Sequence, residues 1–458
     1  MLQEIFNEQK TFYQTNQTLP VTYRLKQLRQ LQLFLTECED ELLLALNEDL
    51  GKSSTESYLS ELGVLKHSLT YTIKKLATWC KKKRVSTPIF LFPARSYSVA
   101  SPYGNTLIIS AYNYPVLLAL DPLIGALAGG NVAMVGLSEQ TRAVNRVLMT
   151  KGQSYFDRHL VYFYESNQRQ NQLLLTQAFD KIFFTGSPRV GRLILEAASD
   201  KLIPVTLELG GKSPALVTES ADVELAASRI VWGKFLNVGQ TCVAPDYCLV
   251  DKKIAKKFQT LVKLKISEFY GEEPAESSDY GRLISAEKVN QLGELLCLDA
   301  PFVCAGGELV PEKRYIEPTV LMAPIEQELA TMSQELFGPI LPILVYSELK
   351  EAEAYIASRT APLAFYPFSN DKTEIRHLLE TLNFGGATVN DTVLHLANPN
   401  LPFGGFGQSG MGRYHGKYSF ETFTHEKAVL ERKNYLTLKI MHPPFSNWKE
   451  RLVRLLLK

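Results

Sequence analysis

The strongest constraint in this sequence is a change of rhythm at Asn105. From there, short and almost continuously apolar runs at 105–110, 131–135, 160–164 and 181–185 alternate with an apolar helix that follows the loop of Asn113 and Pro115 and ends at Gly129, and with a helix near 142–149. Strands with no polar face must be covered on both sides, so the pattern predicts a parallel sheet between layers of helix. A second alternating region begins at Val205. Its expected strands are 205–209, 214–218, 247–250, 341–346 and 388–390, and its expected helices are 223–235 and 254–268. The fold class that follows is α/β, with two doubly wound domains. Upstream, 20–50 and 57–82 read as helices. The basic run Lys81-Lys82-Lys83-Arg84 fits a solvated helix end, where positive charge suits the dipole. The glycine-dense stretch 401–412 reads as loop.

With 458 residues, the chain is long enough for two or three domains. A net charge of +1 gives no reason to expect a nucleic-acid partner. Cys38, Cys80, Cys242, Cys248, Cys297 and Cys304 form no CxxC pair and have no histidine cluster beside them, so no metal site is expected. Sparse, unpatterned cysteines fit a reducing, cytoplasmic setting. The N-terminus does not read as a signal peptide, and no run of apolar residues is long enough to span a bilayer. At the other end, Trp448, Leu452, Leu455 and Leu456 share one helical face, with Lys449, Arg451 and Arg454 elsewhere. That stretch, 448–458, is expected to dock on the protein or a partner subunit, the alternative being weak contact with a membrane surface.

Two glycine clusters imitate phosphate loops and fail. Gly211-Lys212-Ser213 would need glycine at Thr206, and Gly51-Lys52-Ser53 would need it at Leu46. Gly186 to Gly191 is different. Here a strand runs into a tight turn, with Ser187 suited to the N-cap and Pro188 to the first helical position. Such a free helix start can receive a pyrophosphate, although the full GxGxxG pattern is missing.

Three residues invite chemistry. Cys242, in Gly239-Gln240-Thr241-Cys242-Val243-Ala244-Pro245, has loop-like surroundings. A lone cysteine is more often a small buried hydrophobe, and a nucleophile needs a base or an electropositive pocket. Glu208 interrupts an apolar strand just before Gly210-Gly211, so its carboxylate must be paired, protonated or functional, with Lys212 the ordinary partner. Asn113, before Tyr114-Pro115, is either a turn residue or an amide able to donate to an oxyanion.

Taken in order, these strings resemble the aldehyde dehydrogenase superfamily, and most of all its class 3 branch, which takes fatty, medium-chain and aromatic aldehydes. The resemblance runs from about Gly51 to Lys427. It rests on Asp49-Leu50-Gly51-Lys52-Ser53, Asn113-Tyr114-Pro115, Phe184-Thr185-Gly186-Ser187, Glu208-Leu209-Gly210-Gly211-Lys212 and Gly239-Gln240-Thr241-Cys242. Glu335-Leu336-Phe337-Gly338-Pro339, Leu401-Pro402-Phe403-Gly404-Gly405 and Ser409-Gly410-Met411-Gly412-Arg413-Tyr414-His415-Gly416-Lys417 complete it. It implies NAD(P)-dependent oxidation of an aldehyde to a carboxylate through a thiohemiacetal and thioester on Cys242. Asn113 and the Cys242 N–H would hold the oxyanion, and Glu208 would activate the hydrolytic water. Gly186, Ser187, Gly191, Glu139, Glu335, Phe337, Leu209 and Gly210 would bind the cofactor. Glu139 would accept from the adenosine ribose, Glu335 would hold the nicotinamide ribose, and Phe337 would pack by the ring.

The resemblance also implies a Rossmann-like nucleotide domain over 1–206, a catalytic domain over 207–415, and a small β bridging arm. The arm would use a segment near 85–104 and the tail 416–458, and it would make a homodimer. A CoA-acylating dehydrogenase of the same fold is the first alternative, and Glu208 argues against it. A pseudoenzyme with impaired cofactor binding is the second, and the intact Cys242, Glu208 and Asn113 argue against it.

The chain departs from the family on the adenosine side. Gly136 stands where relatives usually carry a lysine, and Ser166-Asn167 where a Gly-Gly pair is common. Without that cation NAD is expected to be favoured over NADP, and Gly136→Lys is expected to improve NADP⁺ use. Arg142 or Arg146 could supply a substitute charge.

Overall fold

The computed structural model describes residues 1–435 and 439–457. Three larger sheets organise it, beside a two-stranded ribbon of Leu309–Val310 and Tyr315–Ile316. The first has six strands in the order Gly410–Met411, Val205–Glu208, Lys181–Thr185, Asn105–Ile109, Val132–Ser138 and Val161–Ser166. All neighbours pair in parallel except Gly410–Met411, which runs antiparallel to Val205–Glu208. The chain steps outward from Asn105–Ile109 through two strands, then returns beside its starting point at Lys181–Thr185. That reversal opens a crevice beyond the carboxyl ends of these two strands, where α/β sheets commonly bind ligands. Ser110 to Asn113 and Gly186-Ser187 occupy this edge.

The second sheet has seven strands: Val303–Ala305, Thr319–Pro324, Ile340–Tyr346, Tyr247–Asp251, Pro214–Val217, Ala364–Phe368 and Gly386–Ala387. Only the Val303–Ala305 edge is antiparallel. The third sheet is antiparallel and joins Lys83–Val85, Ala94–Pro102 and Thr424–Arg432.

Local sequence explains the elements that frame the crevice. The helix Pro115–Gly129 is apolar on every face, and every residue but Leu117 is buried, so it is a central core helix. It ends where Gly130 takes a left-handed φ of 88°, a turn that glycine makes without steric cost. At Pro188–Ser199 the expected cap forms: the Ser187 side chain accepts the Val190 N–H, and Pro188 opens the helix.

Four expectations change. The strand at 205 does not open a second region, because Val205 pairs with Ile182 and belongs to the first sheet. The basic run is not a helix end: the helix stops at Trp79, and Lys83-Arg84-Val85 is an exposed edge strand. Lysine-rich edges resist unwanted pairing, so the composition suits a strand equally well. The glycine-rich stretch 401–412 contains the strand Gly410–Met411, and the strand expected at 388–390 forms at Gly386–Ala387 instead. The tail helix spans Asn447–Leu456, packs against the turn Lys439–Met441 and buries none of its residues. Lys458, the end of the expected segment, lies outside the described residues. No helix among the described residues is long and apolar enough to cross a membrane.

Candidate active site

A cleft of about 470 Å³ lies in the crevice of the first sheet and is walled on its far side by loops of the second. Cys242, Glu208, Asn113, Gly186, Ser187, Leu209, Gly210, Glu335 and Phe337 all line it. A larger, open groove of about 790 Å³ along the first helix and His159 holds no comparable convergence of reactive groups.

Cys242 sits on a strained loop. Asn237, Val238 and Gly239 have φ of 52°, 56° and 74° in succession. A left-handed β-branched valine is costly, and strain of this kind persists only where the surroundings enforce it. Gly239 is required by space as well as φ: an added Cβ would lie 2.3 Å from the Gly338 carbonyl oxygen. The cysteine loop is thereby pressed against the turn that carries Glu335 and Phe337. Cys242 is partly buried and open to the cleft. Burial first, then Glu335 and Glu208, push its thiol up to about 12, while the N–H groups of Cys242 and Val243 pull the other way.

Glu208 ends its strand almost fully buried, and neither carboxylate oxygen has a hydrogen-bond partner. Burial holds its pKa well above the usual carboxylate range. Lys212 does not serve it. That ammonium is 2.6 Å from Asp246 Oδ2 and donates to the carbonyls of Thr331 and Gln334 at 3.0 and 2.9 Å. The structural alternative for Glu208 therefore does not hold.

The Asn113 side-chain amide donates one N–H to the Gln240 carbonyl at 2.9 Å, and the Asn113 backbone carbonyl accepts from Asn237 Nδ2 at 2.7 Å. One amide hydrogen remains free beside Cys242. Tyr114 Oη lies 2.6 Å from Thr241 Oγ1, and Lys52 Nζ sits 4.6 Å from the Tyr114 ring centroid. Lys52 also pairs with Glu61, both side chains fully buried. Glu61 in turn accepts the N–H groups of Val116 and Leu117, fixing the helix that follows Asn113.

Glu335 lies against Gly210, where an added Cβ would come within 2.0 Å of its carboxylate. Burial and Asp246 raise Glu335 to about 8, opposed by the Gly211 N–H, Lys212 and Lys288. Phe337, at a left-handed φ of 50°, meets Tyr112 edge to face at 6.0 Å.

Two expected cofactor residues stand apart from the cleft wall. Glu139 is exposed in the turn after its strand, and its neighbours Ser138 and Gln140 line the cleft instead. Gly191 serves close packing, since an added Cβ would lie 2.8 Å from Leu209 Cδ2. Gly136 is inside a strand, not after one, and an added Cβ would lie 2.6 Å from Tyr164 Oη. A lysine there cannot enter without moving that ring, so any gain in NADP⁺ use from Gly136→Lys would be set against that displacement. Arg146 is exposed, 3.8 Å from Glu48, and neither it nor Arg142 lines the cleft.

Lys288, Thr185, Tyr112 and Asn171 line the cleft without having been singled out by sequence. Only the free-standing hydroxyl of Thr185, next to Gly186, had a local signal. The cleft fits a dinucleotide: its volume is in the range of about 300–1,000 Å³ of small-molecule sites, the buried Thr185 Oγ1 is unpartnered, and a capped helix start faces it.

A doubly wound pair of sheets, with a thiol and an unpaired carboxylate in the crevice between them, is the frame of an α/β enzyme. The model of the aldehyde dehydrogenase family matches residues 2–429, and the chain belongs to that family. It is similar to the 4,4'-diaponeurosporen-aldehyde dehydrogenase of Staphylococcus aureus, with 44% identity over 97% of each chain. It is 40% identical to aldehyde dehydrogenase family 3 member H1 of Arabidopsis thaliana, over 95% of this chain and 90% of the relative. The dimeric NADP-preferring aldehyde dehydrogenase of Mus musculus is 38% identical over 97% of this chain and 98% of its own. A structure of the substrate-bound state of Staphylococcus aureus AldH superposes with a TM-score of 0.98 at 43% identity, covering all of both chains. The chain is therefore an NAD(P)-dependent aldehyde dehydrogenase of the class 3 branch.

Proposed function

We propose that Cys242 is the nucleophile, Asn113 the oxyanion donor and Glu208 the base that activates water. The observation that carries this reading is the orphaned, buried Glu208 carboxylate sharing a cleft with a reachable thiol. Attack by the Cys242 thiolate on the aldehyde carbon gives a thiohemiacetal. Its oxyanion is met by the free Asn113 N–H and the Cys242 backbone N–H, each such donor being worth about 10²–10³ in rate. NAD(P)⁺ bound in the cleft would supply the acceptor for the hydride. Glu208, with no protein partner to release, then takes a proton from water as that water attacks the thioester. Burial raises its pKa, which makes its carboxylate a stronger base than an exposed one. Glu335 and Phe337 would hold the nicotinamide end, Gly186-Ser187 the pyrophosphate, and Ser138, Gln140 and Ser166 the adenosine ribose. Cys242→Ser should abolish turnover with the fold intact. Glu208→Gln should release one burst of NADH and then stall. Unchanged steady-state turnover in either variant would remove that residue from its role.

NAD⁺ should be preferred over NADP⁺. Ser138, Gln140, Ser166 and Asn171 at the adenosine end are uncharged, and an additional phosphate there would lack a cation. Equal or better kcat/KM with NADP⁺ would overturn this.

The two doubly wound regions would act as nucleotide and catalytic domains, and the three-stranded sheet as a dimer arm. Exposed Val85, Ile89, Phe92 and Leu430 on and near that sheet support a homodimer. The exposed Trp448, Leu452 and Leu455, flanked by Arg451 and Arg454, support weak membrane-surface contact by the tail. None of the six cysteines is paired, in keeping with a cytoplasmic location. Sedimentation velocity with and without vesicles tests both contacts.

A further inference from the structure

A dinucleotide brings a pyrophosphate with two negative charges into the cleft, and buried phosphate needs compensating charge. The cleft wall is poor in it. Among the residues lining it, Lys288 is the only lysine or arginine. The adenosine end is lined by the uncharged Ser138, Gln140, Ser166 and Asn171. The start of the Pro188–Ser199 helix offers only a partial positive charge.

Lys288 stands across the cleft, in the first turn of the helix Ala286–Leu298, whose Ser285 cap accepts the Lys288 N–H at 3.2 Å. The residue is half-buried. Among the described residues no carboxylate comes within 4.0 Å of its ammonium, so the charge is not already spent on an ion pair. Asp246, which with Glu335 acts on Lys288 electrostatically, is engaged by Lys212 at 2.6 Å and Lys234 at 3.6 Å. Burial lowers the Lys288 pKa, and Glu335 and Asp246 oppose that shift, so an arriving anion would strengthen the protonated form.

We propose that Lys288 is the cation against which this enzyme holds the cofactor's pyrophosphate, so that charge recognition comes from the catalytic side of the cleft and not from the adenosine side. The proposal rests on the NAD(P)-dependent reading. Because the pyrophosphate is common to NAD and NADP, Lys288 gives affinity without discrimination between them.

The test is equilibrium binding with no turnover. NADH affinity is read by fluorescence, and ADP-ribose, which keeps the pyrophosphate and lacks the nicotinamide, is read by competition. Losing a charged hydrogen bond corresponds to roughly 10–150-fold in affinity. Lys288→Met should weaken NADH and ADP-ribose by the same factor within that range and flatten the salt dependence of binding. Lys288→Arg should restore most of it. Unchanged affinity in Lys288→Met overturns the proposal. So does a loss confined to NADH, which would move Lys288 to the nicotinamide ribose beside Glu335. If the wild-type chain binds NADH and only the Lys288 arm fails, the dehydrogenase reading stands. If the wild-type chain binds no NADH, both fall.

Discussion

The cofactor-free enzyme should protect its own nucleophile. The Cys242 thiol is raised from 9.0 to about 12, chiefly by burial. Three pKa units mean about 1,000-fold less thiolate at any pH below both values. A more basic thiolate is intrinsically more reactive, and a Brønsted slope of about 0.4–0.5 returns some 20–30-fold. Alkylation by iodoacetamide at pH 7.5 should therefore run about 30–50-fold slower than for a free thiol of ordinary pKa, before any steric hindrance. The rate should climb about tenfold per pH unit from 7 to 10, because the thiolate fraction does. The assay is mass-spectrometric quantitation of the Cys242 peptide over time, with exposed Cys297 as an internal control for reagent activity. A plateau below pH 9, or a rate at pH 7.5 matching the free thiol, would refute the argument and require a thiolate already stabilised in the resting site.

Gly210→Ala should displace the Glu335 carboxylate, which has no room beside a Cβ at 2.0 Å; the KM for NAD⁺ should rise about tenfold with the melting temperature little changed, and an unchanged KM would separate Glu335 from the cofactor. Gly136→Lys should cost about 1–3 kcal/mol by urea unfolding, because the Tyr164 ring must move, and no loss would show that the ring swings freely. Lys52→Met leaves the buried Glu61 without its ion partner and should cost about 3–5 kcal/mol; a loss under about 1 kcal/mol would mean the two amide donors suffice. Glu335 holds its proton up to about 8, whereas the unfolded chain releases it near pH ~4.3, so folding loses stability as pH rises across that window. Glu335→Gln should flatten the fall in melting temperature between pH 5 and 8, and an unaltered pH profile would place Glu335 in a more polar setting.

Local signals served the sequence reading well where one segment decides its own structure. The Ser187 cap, the Pro188 start and the wholly apolar helix from Pro115 all follow from neighbouring residues. The carboxylate in an apolar strand marked Glu208 because burial without a partner is visible as a break in pattern. What escaped depends on distant segments meeting. Lys288 looks like an ordinary helix-start lysine until the second sheet brings it to the cleft. Gly210 reads as a turn glycine, and only the fold reveals that Glu335 occupies the missing side chain's place. Lys83-Arg84-Val85 is recognisable as a strand only beside Ser96 to Ser98. Glu139 and Ser138 are adjacent in sequence, and the end of their strand decides which one turns to the cleft.

The contact between Gly239 and the Gly338 carbonyl ties the histories of two loops together. One carries the sulfur and the other carries Glu335 and Phe337, and at their contact no side chain larger than glycine fits at position 239 unless the Gly338 backbone moves. A designer wishing to reshape the aldehyde pocket from the 237–242 side therefore inherits the cofactor side as well. Loop exchanges between relatives should succeed as matched pairs and fail singly, so that over evolutionary time the two segments behave as one inherited unit.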